Sequence, residues 1–247
     1  MEEPSEHRRC IIIGSGRAGA SFAGALAQVG WSTSVRGRGD SVVDATTTAT
    51  VVLIAIPDDQ IESVAGTLPA GSAVVAHCSG SRSLDILGPH ANTGSIHPLM
   101  SLPDPVVGAA RLLDHCTFAV DGDPIMASMV ADLGGESVRV PASQRPRYHA
   151  AASIAANHLT ALCHQVETLA EEVGVPTDAF WTLMATTLDN IREVGPSAAL
   201  TGPAARADWD TIRQHLDELA ASERSLYLEL SRRAATMAGH PWPEDLF

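Results

Sequence analysis

The 247-residue chain predicts a doubly wound parallel α/β sheet followed by an all-helical region, and three observations carry that expectation. Short, continuously apolar runs alternate with helix-length segments up to about residue 140, as parallel strands covered on both faces require. After Pro141 the strand-like runs stop and long Ala/Leu-rich segments take over. Gly- and Pro-rich breaks separate those later segments, as helix connections do. The boundary is drawn there, giving one domain over 1–141 and a helical domain over 142–247.

The elements follow in order. Cys10–Ile13, Trp31–Val35, Val51–Ile56 and Ala73–Ala76 read as strands, with a weaker pair at Thr117–Val120 and Ser137–Val140. Arg17–Val29, Asp59–Gly66 and Pro124–Leu133 have helical length and composition. Strand, helix and strand at this spacing make βαβ units. Beyond the boundary, Tyr148–Val173, Thr177–Val194, Asp208–Ala220 and Glu223–Ala238 read as helices. Gly174-Val175-Pro176 breaks the first from the second, and Gly195-Pro196 through Gly202-Pro203 breaks the second from the third.

The strongest local motif is GSGRAG after Ile11-Ile12-Ile13: Gly14, Ser15, Gly16, Arg17, Ala18 and Gly19. A lone GxGxxG is weak. Here it follows a strand, opens an amphipathic helix and leads to a second strand within about 28 residues, close to the ~30 of a dinucleotide-binding βαβ unit. The three glycines serve, in turn, a tight turn, backbone approach to a pyrophosphate, and close helix packing. The helix N-terminus offers free N–H groups to phosphate. At the end of the second strand an NAD site carries an acid, yet this chain has Val35-Arg36-Gly37-Arg38, with Asp40 late for that role. Two guanidiniums suit a 2′-phosphate, so Arg36 and Arg38 point to NADP(H) rather than NAD(H). Ile56-Pro57-Asp58-Asp59 ends the third strand. An Asp there caps the next helix, and Ile56 and Pro57 lie at the strand edge where the cofactor sits.

Candidate chemistry falls on the same edge. His77-Cys78-Ser79-Gly80 ends another strand, and Ser95-Ile96-His97-Pro98-Leu99-Met100 follows. Pro98 holds His97 in extended backbone, which fits either a proton donor at neutral pH or a hydrogen-bonded structural histidine. On the helix from Tyr148, the residues Tyr148, Ala152, Ala155, Leu159, Leu162, Val166 and Leu169 share an apolar face. His149, Ser153, Asn157, Thr160 and His164 share a polar, uncharged one, as a cleft or a polar seam between helices would have. In LTGPAARAD, Thr201 and Arg206 are candidate substrate contacts, Arg206 for a carboxylate, and Asp208 caps the next helix. No HExxH or shared histidine face supports a metal.

Composition bounds the function. All 16 basic residues are Arg; with no Lys, a lysine Schiff base or lysine proton donor is excluded unless another chain supplies it. The net charge of -13 is spread evenly over both halves, with no basic stripe for nucleic acid. The N-terminal MEEPSEH lacks a signal-peptide pattern. Apolar runs of about six residues fall far short of the ~20 that span a bilayer. Four scattered cysteines without CxxC fit reduced thiols in the cytoplasm.

The run of motifs from GSGRAG, IAIPDD, HCSG, SIHPLM and YHAAASIAANHL to LTGPAARAD and TIRQHL resembles the Rossmann-like proteins with a DUF2520-type helical domain, within the 6-phosphogluconate-dehydrogenase-like superfamily of NAD(P) oxidoreductases. SIHPLM is similar to the His-Pro-Met segment of prephenate dehydrogenases, which implies a catalytic His97 and gives Ser79 the place of their serine. His149, Ser153 and Asn157 match the spacing of the Lys, Asn and Asn of ketopantoate reductases, without the lysine. The resemblance implies an NADPH-dependent oxidoreductase reducing a small carbonyl substrate, a 2-oxo acid such as ketopantoate, and working as a homodimer through the helical domain. His97 or His149 donates the proton in this reading, with Ser79, Asn157 and Arg206 orienting the substrate. A non-catalytic NADP(H)-binding sensor, a prephenate-type dehydrogenase and an imine reductase are the alternatives.

Overall fold

The computed structural model describes residues 8–246, so the acidic MEEPSEH segment lies outside the described residues. Contacts divide the chain into two compact units, one ending at Asn157 and one beginning at His158. The first unit thus runs 16 residues beyond the change of texture at Pro141. The side chain of Arg145 accounts for the difference, because it is buried in the first unit and ties the start of the next helix to it.

The first unit is built on a seven-stranded sheet in the order β2-β1-β3-β4-β5-β6-β7. Its strands are β1 (Arg9–Ile13), β2 (Ser32–Arg36), β3 (Val51–Ile54), β4 (Val74–His77), β5 (Thr93–Pro98), β6 (Thr117–Gly122) and β7 (Glu136–Arg139). The first five run parallel, β6 pairs antiparallel with β5, and β7 is parallel to β6. The expected doubly wound sheet is therefore present, with a mixed edge. Continuous apolar runs suit the inner strands because both faces are covered. Cys10 and Ile12 enter one core cluster with Phe22, Leu53 and Phe118, while Ile11 and Ile13 enter the other with Val52, Ile54 and Ile61.

Helices α1 (Arg17–Gln28), α2 (Ala45–Thr48), α3 (Ile61–Thr67), α4 (Pro105–Leu112), α5 (Ile125–Asp132) and α6 (Arg145–Ser153) complete this unit. Three elements lack a clear signal in the sequence: the short α2, β5, whose SIHP run mixes polar residues into the strand, and α4. The α4 cap is nevertheless written in Asp104-Pro105, where the Asp104 carboxylate accepts from the Val106 and Val107 N–H groups at 2.9 and 3.0 Å. A π turn, Ile154–His158, follows α6. Its wider i→i+5 turn breaks the 3.6-residue register, so the single polar face expected from His149 to His164 is divided at this point.

The second unit contains α7 (Leu159–Glu172), α8 (Thr177–Val194), α9 (Pro196–Ala199), α10 (Trp209–Glu218) and α11 (Ala221–Met237). Its buried cluster is small: Ala204, Ile212, Ala235 and Leu246, with Trp209 and Trp242 packed against it. Asp208 caps α10 as expected, accepting from the Thr211 N–H at 3.2 Å and the Thr211 hydroxyl at 2.8 Å.

Candidate functional site

Parallel pairing aligns Ile13 with Arg36 and Ile54, and Ile54 with His77. The C-terminal edge of one sheet consequently collects the glycine loop, the arginine pair, Ile56-Pro57-Asp58, the HCSG turn and His97. Such edges are where open α/β sheets bind ligands.

The glycine loop has the shape its motif requires. Gly14 has φ +121°, and a Cβ on it would lie 2.2 Å from the Ala55 carbonyl oxygen. A Cβ on Gly19 would lie 2.0 Å from the Gly14 carbonyl oxygen, so the helix packs too closely for any side chain there. Around Gly16 nothing lies within 4 Å of that position, and Ser15, Gly16 and Arg17 are exposed, with Ala18 partly so. Gly16 is the N-cap of α1 with no side-chain cap and no acid in the first turn, which leaves N–H groups free for an anion.

At the end of β2, Arg36 keeps a buried Nε without a hydrogen-bond partner, and its Nη2 lies 3.7 Å from Asp44. Arg38 is exposed. Asp40 accepts from the Gly37 N–H at 2.7 Å, so its carboxylate braces the loop. Gly37 also lies next to Ser15: a Cβ on it would sit 3.6 Å from the serine oxygen. An open glycine loop, an unpartnered Arg36 nitrogen and an acid already engaged fit a dinucleotide carrying a 2′-phosphate.

The HCSG turn is pinned from below. Ser79 donates its hydroxyl proton to Asp58 Oδ2 at 2.6 Å and Ser81 does so at 2.8 Å. The Ser79 oxygen accepts from the Ser81 and Arg82 N–H groups at 3.2 and 3.1 Å. Asp58 therefore holds serines instead of capping α3, which has no side-chain cap. Arg145 is fully buried, donating to the Ser79 carbonyl at 3.2 Å and to the Ser95 hydroxyl. Its Nε has no partner, and burial lowers its pKa.

Three imidazoles surround this turn. His77 is buried; its Nδ1 accepts from the Ser79 N–H at 3.2 Å, so Nε2 carries the proton toward the Ser83 carbonyl at 3.3 Å. His97 Nδ1 lies 2.8 Å from the Tyr148 hydroxyl. The His97 and His149 rings are 5.7 Å apart, and His149 Nδ1 is buried without a partner. Burial, then the Arg145 charge, pushes His77 down to about 4. Burial, then His149 and Arg145, pushes His97 down to about 4 as well, with Asp58 opposing. Both are neutral at pH 7.

His97, His149 and Ser79 thus share one cluster in the first unit. Ser153 is partly buried further along α6, and Asn157 is exposed in the π turn. Thr201 and Arg206 belong to the second unit, Thr201 exposed and Arg206 at the end of the short turn before α10. The sequence pattern misses Asp58 as a serine anchor, Arg145, and the hydroxyl of Tyr148, which falls on the apolar face of the expected helix. Only the neighbouring HCSG and YHAAAS motifs signal them. Among the described residues no group of three His, Cys, Asp or Glu could hold a metal ion, and no helix is long and apolar enough to cross a membrane.

Comparison with known proteins agrees with this architecture. The model of the family "Domain of unknown function (DUF2520)" matches residues 116–234. The Thermotoga maritima protein TM1727 is similar over 93% of this chain and 98% of its own, with 25% identity and a TM-score of 0.71. The fold is Rossmann-like. A Bacteroides fragilis protein, BF3122, provisionally classed as an NADP oxidoreductase, shares it at 20% identity and a TM-score of 0.79, over 94% of this chain and 99% of its own. So does pyrroline carboxylate reductase of Plasmodium falciparum with NADP bound, at 9% identity and a TM-score of 0.63, over 94% of this chain and 99% of its own. No curated protein matches the sequence.

Proposed function

We propose that the protein is an NADPH-dependent oxidoreductase that reduces a small carbonyl compound, of the 2-oxo acid class that includes ketopantoate. One observation supports the reading: a single sheet edge bears both an open glycine loop beside Arg36 and a half-buried His97 cluster. Gly14, Ser15, Gly16, Arg17, Ala18 and Gly19 hold the pyrophosphate, Arg36 and Arg38 the 2′-phosphate, and Ile56 and Pro57 flank the cofactor. Bound NADPH supplies a hydride. His97 hands a proton to the substrate oxygen, with His149 beside it. Ser79 and Asp58 keep the turn in place, while Ser153 and Asn157 take the substrate's polar groups. Helices α7 to α11 form the homodimer contact, for which a monomeric mass by light scattering at micromolar concentration is the contrary result.

Fluorescence titration tests the cofactor: NADPH is expected to bind more tightly than NADH, and equal affinities overturn that part. Arg36→Ala is expected to weaken NADPH by roughly 10- to 100-fold, the loss of a charge-assisted contact of about 1.5–3 kcal/mol, while leaving NADH little changed. NADPH oxidation across a panel of 2-oxo acids and cyclic imines tests the reaction. Tight NADPH binding with no turnover on any of them favours a sensing protein instead.

A further inference from the structure

The Tyr148 hydroxyl and His97 Nδ1 are hydrogen-bonded, with the rings edge-on at 5.5 Å. With the phenol O–H as the donor, Nδ1 is the acceptor of this bond. A neutral imidazole has one N–H, which then sits on Nε2. That nitrogen borders Gly80, where a Cβ would come within 2.8 Å of it and within 2.6 Å of His149 Nδ1. Any side chain at Gly80 would collide with both nitrogens.

We propose that Tyr148 is the proton reservoir of this site, passing its hydroxyl proton to His97 Nδ1 as His97 releases its Nε2 proton to the oxygen being reduced. The inference rests on the carbonyl-reductase reading above. The carbonyl carbon takes the hydride with its electron pair, and the C=O π pair moves to oxygen. The Nε2–H bond breaks as the new O–H bond forms; the Tyr148 O–H bond breaks as Nδ1–H forms. His97 is neutral before and after, in its other tautomer, and a phenolate remains until solvent reprotonates it. Tyr148 is a positioning and relay residue, acting through His97.

The surroundings favour this route over an imidazolium donor. His149 and Arg145 from α6 and His77 from β4 oppose a charge on His97, and Asp58 alone supports one. A neutral imidazole N–H is too weak an acid to leave unreplaced. Burial raises Tyr148 above the ordinary 10.0, and Cys116 adds to that, while the Arg145 guanidinium favours the phenolate. The reductive rate is therefore expected to be flat across neutral pH and to fall as Tyr148 ionises above the ordinary phenol range.

The chain has two tyrosines, so Tyr227→Phe leaves Tyr148 as the sole phenol. In that background, incorporation of the more acidic 3-fluorotyrosine is expected to move the alkaline limb of NADPH oxidation to lower pH; an unmoved limb overturns the proposal. Tyr148→Phe is expected to cut kcat roughly 10²-fold with little change in KM, and full turnover in this variant also overturns it. A second readout needs no substrate. Nitrogen-15 histidine spectra of the full chain, with His97 assigned by its loss in His97→Asn, are expected to show the proton on Nε2, and Tyr148→Phe to mix the two tautomers. An Nδ1–H tautomer in the unaltered chain overturns the proposal. If the whole carbonyl panel is inert, the reductase reading fails, and a scrambled Nε2–H tautomer would still uphold the Tyr–His proton arrangement.

Discussion

Each of the two compact units contains one of the chain's tyrosines, and each tyrosine is bonded to a histidine Nδ1. Tyr148 meets His97 at 2.8 Å with rings 5.5 Å apart and 87° between planes. Tyr227 meets His215 at 2.6 Å with rings 5.7 Å apart and 78° between planes. The pairs are near copies in geometry and differ in what lies around them. His97 sits among His77, His149 and the buried Arg145, which together with burial deprive it of its charge. His215 is exposed on α10, beside the cap residues of that helix. A hydrogen bond by itself does not make a functional group; the surroundings that fix its protonation do.

That contrast can be broken most directly by turnover. His97→Ala is expected to lower NADPH oxidation by roughly 10²–10⁴-fold, the usual worth of a proton-transfer group, whereas His215→Ala leaves it within about twofold of the unaltered chain. Equal losses in steady-state assays would erase the distinction.

Acid sensitivity sharpens it next. His77 and His97 have folded values near 4 against an ordinary 6.5, so the unfolded chain binds more protons between those limits. Stability is complete above 6.5 and drains away as pH falls toward 4, by about 3 kcal/mol for the buried His77. Urea midpoints at neutral and acid pH measure this, and His77→Asn should flatten the difference. A midpoint that rises on acidification contradicts it.

Smallest is the effect of the arginines. Arg145→Met leaves the Ser79 carbonyl and Ser95 hydroxyl without their donor, at a cost of about 1–3 kcal/mol. Arg213, paired with Asp210 and Asp245 at 2.8 Å each in reach of solvent, should cost less than Arg145 when replaced by Met. Thermal unfolding of both variants gives the ranking, and the reverse order would mean that burial does not separate the two sites.

The sequence reveals most where the physics is local. GSGRAG can be read because positive φ at Gly14 and a helix start at Arg17 are properties of neighbouring residues. Cys10–Ile13 can be read because a strand buried on both faces is apolar throughout. β5 is harder, since Ser95 and His97 are polar, and the burial of Ser95 and half-burial of His97 depend on partners far along the chain. The single polar face from His149 to His164 fails for a related reason: a π turn is a departure from the repeat that such a reading assumes.

By itself, then, the sequence determined the two-part architecture, the glycine loop and the arginines at the end of β2, each encoded within one βαβ span or one change of periodicity. Only the tertiary structure decided that His77, His97, Arg145 and Tyr148 would meet. Tyr148 stands 51 residues from His97, and Arg145 stands 66 from the Ser79 carbonyl it holds. A protonation state belongs to the company a group keeps after folding, through lost water and nearby charge. No spacing in the chain records that company until the sheet edge brings it together.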